Sequence, residues 1–384
     1  MNRKSRVFYG SLIIVVAAVA GLILALTTTP LNDVVFHNYN PWQLSSWIQT
    51  TNYPKPIDWG SCVVYSGYIY CVGGWNIGTS SRAVYYAHLL ATGGIDSGGW
   101  QLSPILYPEV NGVMNHSCVM DSGYIYCVGN SVPYTNGRAV YYAHLLLTGG
   151  IDTGGWHQTA DYPLFGGGAS CVVYSGHIFC IGFDNCCSIQ LAFAPLKSSG
   201  GIDTVGWYSW GLYSLSSFSG QSCGLYLDYM YCVGGGDGST LSNRDFFYVH
   251  LSPNGGYIGG MITQTAFYPI PINSQSCFVY SYSEGIKPGI TRGVMYCVGG
   301  RSSSGATSDV YFARLVNTGG ITGAGFTKIT RLTYPTPIWG HSCVMDARNI
   351  YCVGGIYGTD NAVYYQRACS SDIYWSGQTS VCEP

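Results

Sequence analysis

The sequence predicts an all-β fold of six radially arranged, four-stranded sheets, and three observations carry that prediction. One phrase recurs six times, each copy alternates strand-forming residues around turn signals, and the two chain ends hold complementary parts of a single repeat. The phrase from Ser61 through Cys62 and Cys71 to Gly73-Gly74 returns at Ser117 to Asn130, Ser170 to Phe183, Ser222 to Gly235 and Ser342 to Gly355. A stretched copy opens at Ser276 and closes at Gly299-Gly300. The first cysteines (62, 118, 171, 223, 277, 343) are separated by steps of 56, 53, 52, 54 and 66, a period that belongs to repeat architectures.

Within a copy, Val, Tyr and Ile alternate with other residues over short runs broken by Gly, Ser and Asn, which reads as β-structure. In the first copy Cys62 to Tyr65 and Tyr68 to Cys71 flank the two-residue turn Ser66-Gly67. Counting outward from that turn, Tyr65 faces Tyr68, Val64 faces Ile69, Val63 faces Tyr70 and Cys62 faces Cys71. With the turn pair hydrogen-bonded, the two cysteines occupy a non-hydrogen-bonded site, where Cα atoms lie roughly 4.5 Å apart and a disulfide closes. The same spacing predicts Cys118-Cys127, Cys171-Cys180, Cys223-Cys232 and Cys343-Cys352, and, across a longer loop, Cys277-Cys297. The turn pairs Leu227-Asp228 and Ala347-Arg348 keep the spacing without the Ser-Gly signal. Cys369 pairs with Cys382 in the tail; Cys186 and Cys187 form a vicinal disulfide, pair with another chain or stay free.

A chain of 384 residues that is 47% hydrophobic buries a large core. Only 9% of residues are charged and the formal net charge is -2, so no basic field exists to hold nucleic-acid phosphates. Sixteen cysteines at pairable positions, none of the six hairpin pairs having the short spacing of a zinc knuckle, point to disulfides and to an oxidising location or a thermophilic cell. The N-terminus agrees. Arg3, Lys4 and Arg6 precede an uncharged, mostly apolar run from Val7 to Leu26, long enough to span a bilayer as a signal anchor with the repeats outside. A cleaved signal peptide and a buried helix are the alternatives. The sparse carboxylates further fit a hot, acidic or proteolytic exterior.

The organisation is therefore a cytoplasmic basic flank (1–6), a transmembrane anchor (7–26), a linker (27–42), the repeat region (43–368) and a disulfide-closed tail (369–384). A full repeat offers four strands, as in 61–66, 68–73, 82–90 and 100–106, followed by Tyr107-Pro108. Such units repeated around an axis are propeller blades, and closing the ring protects their edges. Copy six lacks the Trp-to-Tyr-Pro segment after Tyr365, whereas Trp47 to Tyr53-Pro54 has that pattern with no blade before it. The N-terminal strand is thus expected to complete the sixth blade.

The pattern resembles the Kelch repeat: strands ending in Gly73-Gly74, Gly234-Gly235, Gly299-Gly300 and Gly354-Gly355, Tyr-rich third strands, and Trp100, Trp156 and Trp207 opening fourth strands. The resemblance covers roughly 43 to 368 and is similar to secreted archaeal Kelch-like surface proteins. Gly129-Asn130 and Gly182-Phe183 depart from the doublet, so those two blades are expected to turn differently there. The resemblance implies a six-bladed Kelch-type propeller whose partners dock on the rim shared by the blade-to-blade loops and the loops between second and third strands. Trp59, Phe165, Phe218 and Trp339 fall on the first loop type, and Trp75, Phe183 and Tyr357 on the second. Aromatics among Gly, Asn and Ser suit sugar stacking or a protein contact with few charges, or plug the channel.

Convergent catalytic groups are not evident. His88, His144 and His250 occupy one blade position and are spread by symmetry; His116 and His341, before Ser-Cys, have no partners of ligand type in the other copies, so no metal site or cofactor is assigned. Asp96, Asp152 and Asp203, in Gly-Gly-Ile-Asp, read as turn formers. Asn115-His116-Ser117 is an N-glycosylation pattern on the same rim. The expected function is that of an exported, membrane-anchored, non-enzymatic protein for adhesion, envelope assembly or recognition of surface glycans or proteins. The alternatives are a secreted carbohydrate-active enzyme using the central pocket and a purely structural surface-layer component.

Overall fold

The computed structural model describes residues 44–132, 137–183, 189–213, 219–236, 243–259, 263–283, 291–355 and 360–368. The segment expected to cross a membrane, the tail with Cys369 and Cys382, the Cys186-Cys187 pair, Phe218 and Tyr357 lie outside these residues. Among the described residues no helix is long and apolar enough to cross a membrane.

Six four-stranded antiparallel sheets follow one another as blades. Blade one is typical: Ser61–Tyr65, Tyr68–Val72, Val84–His88 and Gln101–Leu102, running from the inside outward. Its fourth strand is shorter than the 100–106 expected from sequence, and Pro104, which has no N–H to give a ladder, lies within that span. The first-to-second strand register is the expected one, with Tyr65 opposite Tyr68 and Cys62 opposite Cys71. Ser66-Gly67, Ser122-Gly123 and Ser175-Gly176 take positive φ at both positions, the geometry that matches the strand twist. Leu227 and Ala347 adopt the same left-handed φ (53° and 50°) at the first turn position, so these hairpins keep their register despite their residue types.

All six hairpin disulfides are formed, with Cα separations of 4.0 to 4.1 Å. The stretched copy pairs Cys277 with Cys297 through an extended hairpin, Ser276–Ser283 against Thr291–Val298. Such a set of cross-links marks a protein of an oxidising, extracytoplasmic compartment.

The core is divided among the six junctions between blades. Cys62 and Cys71 pack with Tyr351, Val353 and Val363 of blade six, Cys118 and Cys127 with Val63, Tyr70 and Val72 of blade one, and the pattern continues around the ring. Each disulfide therefore braces the strand pair that faces the preceding blade. The glycine doublet fits between blades. Gly74, Gly235, Gly300 and Gly355 donate to the carbonyls of Val113, Ile272, Ile338 and Ile57, and a Cβ on Gly354 would lie 2.2 Å from the Ile57 carbonyl oxygen. Where Asn130 replaces the second glycine, its side chain takes over: Nδ2 donates to the Gly112 carbonyl and Oδ1 accepts from Met114 N–H. In blade three the strands run on past the missing doublet until Phe165 pairs with Phe183.

The ring closes as the chain ends imply. Ile48–Gln49 pairs with Val363–Arg367 as the outer strand of blade six. The tyrosine of each Tyr-Pro phrase is buried edge-on against the aromatic that opens the next fourth strand: Tyr107 on Trp156, Tyr162 on Trp207 and Tyr268 on Phe326, with centroids 5.0 to 5.3 Å apart. Both seams of the N-terminal strand repeat that contact, Trp47 on Tyr334 at 5.0 Å and Tyr53 on Trp100 at 4.9 Å.

Candidate functional site

The first strand of every blade is an inner edge, and its unpaired backbone groups must find partners. Because each first cysteine sits at a non-hydrogen-bonded position, its N–H points away from its hairpin partner toward the channel. The serine before the cysteine of the preceding blade accepts it. Cys118 donates to Ser61 Oγ, Cys171 to Ser117, Cys223 to Ser170, Cys277 to Ser222, Cys343 to Ser276 and Cys62 to Ser342, all at 2.8 to 3.0 Å. The Ser-Cys dipeptide is thus a closed belt of six hydrogen bonds around the channel.

A second ring lies two residues before each serine. Trp59, Asn115, Gly168, Gly220, Ser274 and Gly340 all have positive φ, between 50° and 78°. Backbone bonds link them: Trp59 N–H to Gly340, Asn115 to Trp59, Gly168 to Asn115, Ser274 to Gly220 and Gly340 to Ser274. Glycine and asparagine suit this conformation, three of the six residues are glycine, and Ser274 is small. Trp59 is the exception. A bulky residue held left-handed where relatives in the same ring are glycine costs about 1–3 kcal/mol, and such cost collects at functional sites.

What surrounds Trp59 is aromatic and sparsely charged. Its indole lies edge-on to Trp339, centroids 5.4 Å apart; Trp339 is only 6% exposed, and the Arg301 guanidinium sits over its ring at 5.3 Å. Asp58, 2% exposed, exchanges two backbone hydrogen bonds with Trp75 and leaves Oδ1 unpartnered. Burial raises its carboxyl to about 6. Trp75 is partly exposed on the small hairpin Trp75–Asn76 and Thr79–Ser80. Below them a cavity of about 140 Å³ is lined by the six belt serines with Trp59, Asn115, His116, Gln221, Gln275 and His341.

The structure therefore brings Trp59 and Trp339 into contact and leaves Trp75 on the backbone of Asp58. The backbones of Phe165 and Phe183 stand opposite each other in the strand ladder of blade three. Asn115 stands in the mouth ring with its Nδ2 donating to Ser131 Oγ, so a glycan there would stand at the channel mouth. His116 and His341 are buried and lowered to about 3 by desolvation, the Val298 carbonyl acting weakly the other way on His341. Each lies within 4.8 Å of a hairpin disulfide, whose sulfurs are not thiolates and cannot ligate as such. Asp96 and Asp152 accept from Gly98 and Gly154 N–H as turn formers do, while His88 reaches Asp96 at 2.8 Å on the surface. Sequence reasoning did not single out Asp58, whose burial against Trp75 needs the folded rim, or Arg301, which meets Trp339 of the next blade's loop, nor the belt serines, although serine stands before all six first cysteines.

Neither a protein-family profile nor a curated protein sequence matches the chain. Among solved structures it is similar to YjhT, with a TM-score of 0.59 at 12% identity over 83% of this chain and 95% of that one. At that identity the likeness concerns the fold, a six-bladed propeller.

Proposed function

We propose that this chain is an exported, non-enzymatic binding protein of Kelch type, anchored by residues 7–26, whose ligand site is the channel mouth at the junction of blades six and one. The observation that carries the reading is Trp59. It keeps a strained backbone where Gly168, Gly220 and Gly340 occupy equivalent positions, and it presents an indole backed by Trp339. An aromatic surface with mostly polar, uncharged neighbours, the buried Asp58 carboxyl and one stacked guanidinium favours surface glycans or weakly charged protein loops over nucleic acid. The enzyme alternative asks for converging acids or for a nucleophile and base; among the described residues the cavity lining holds no carboxylate, and its belt-serine hydroxyls are engaged as acceptors of the cysteine N–H groups.

The test is a glycan array probed with the disulfide-intact propeller and with Trp59→Gly. Glycine fits the local φ, so the variant keeps the ring while losing the indole. A loss of at least about tenfold in affinity, the size of a modest hot spot, is expected. Binding that survives the substitution, or polysaccharide turnover, overturns the proposal.

A further inference from the structure

Two hydrogen bonds hold the Trp59 peptide in the mouth ring: its N–H donates to the Gly340 carbonyl at 2.6 Å, and its carbonyl accepts from Asn115 N–H at 2.9 Å. The residue after each of these partners is a histidine. His341 follows Gly340 and His116 follows Asn115, both residues are 7% exposed, and their nitrogens make no well-formed hydrogen bond, the Val298 carbonyl being the one acceptor that acts on His341. Blades four and five place Gln221 and Gln275 at the same position, and there the amide donates to the carbonyls of Ile181 and Val233 of the preceding blade. The histidines thus occupy sites that suit a neutral polar donor and set no acidic partner beside a charge.

Resting on the mouth site proposed above, we infer that Trp59 is gripped by a proton-sensitive clamp: the segments carrying His116 and His341 hold its peptide while both rings are neutral and release it as they take up protons. The surroundings oppose protonation in place. His116 faces Tyr107, centroids 6.2 Å apart, Gly73 and the Cys118-Cys127 disulfide. His341 faces Tyr334 at 6.0 Å, Gly299, Gly355 and the Cys343-Cys352 disulfide. Glu109 and Asp360 act on Tyr107 and Tyr334 rather than on the rings, and Arg301 sits over Trp339, two residues before His341. Among the described residues Asp58, next to Trp59, is the one acid buried at the mouth, and it acts in the opposite sense.

The signs follow from linkage. A histidine that stays neutral in the closed ring to about 3, but titrates at its ordinary value of about 6.5 when opened, favours opening about tenfold per pH unit between those values. Asp58, raised to about 6 when closed, favours closure about tenfold per unit as pH falls from 6 to about 3.8. An opening that exposes all three groups therefore grows about tenfold for each unit of pH lost between about 6 and 4.

Amide exchange of Trp59 and Asn115, followed by NMR from pH 7 to 4 and corrected for the chemical exchange rate, measures that opening. The native protein should show the tenfold-per-unit rise. In His116→Gln/His341→Gln, which copies the residues of blades four and five, the rise should vanish and the Asp58 trend remain. If the double variant does not fold, His116→Gln alone should remove one tenfold step per unit. A variant that keeps the native slope, or native amides with no acid trend before global unfolding, overturns the clamp. No ligand enters the measurement, so a mouth that binds nothing on the glycan array and a clamp that fails are separate results.

Discussion

Replacing Ser276 by alanine isolates one link of the serine belt. Ser276 Oγ accepts the Cys343 N–H at 2.8 Å, and both residues are buried, at 8% and 7% exposure. Cys343 lies at a non-hydrogen-bonded position of an inner edge strand, so its hairpin partner cannot supply a substitute acceptor. Leaving a buried N–H unsatisfied costs about 1–3 kcal/mol. The channel has room for water, which replaces part of the lost bond and sets the expected cost near the lower end, about 1–2 kcal/mol. Repeat rings open in parts, so a single melting midpoint reads this poorly. Amide exchange reads it directly: protection at Cys343 should fall roughly 5- to 30-fold, with distant amides in blade three little changed. Ser342→Ala should do the same to Cys62, since the belt crosses the seam as it crosses every other junction. Unchanged protection at Cys343, or an equal loss everywhere, would refute the idea that each serine locally satisfies its neighbour's edge.

Trp59→Gly should leave folding stability within about 1 kcal/mol, because relief of the left-handed backbone offsets the lost edge contact with Trp339; a loss above about 3 kcal/mol in denaturant unfolding would make Trp59 a structural residue. Tyr53→Ala should cost about 3–5 kcal/mol, since the ring is 1% exposed and packs edge-on to both Tyr85 and Trp100; exchange protection should drop first in Ile48–Gln49 and Val363–Arg367, and protection lost first elsewhere would count against the seam. Asp58→Asn removes a carboxyl whose folded value is raised, a group that contributes stability at low pH and loses it as pH rises through about 6. The variant should therefore gain on the native protein at pH 8 relative to pH 4 in urea unfolding, and an equal effect at both would refute the assignment. The two buried histidines work in the other direction, contributing stability above pH 6.5 that is lost toward about 3, which limits any adaptation to strong acid.

Much of the site was half legible. Serine before every first cysteine was visible as a pattern, and hairpin register already turned each cysteine N–H outward, yet the acceptor proved to be on another blade, between 53 and 67 residues away within the chain and 280 across the seam. Trp59 and Trp339 read as loop aromatics on one rim; their contact, and the burial of Trp339 under Arg301, required the packed ring. Nothing near Asp58 in the sequence marks it as buried.

The sequence by itself determined the number of blades, the six cross-links and the seam, because each follows from short-range spacing: a nine-residue offset sets a hairpin register, and a repeat lacking its last strand must take one from the other end. Only the tertiary structure decided which residues the channel mouth assembles and which of them lose water. Left-handed φ, unpartnered imidazoles and a raised carboxyl all arise where blades meet, and desolvation there depends on neighbours that spacing along the chain does not specify.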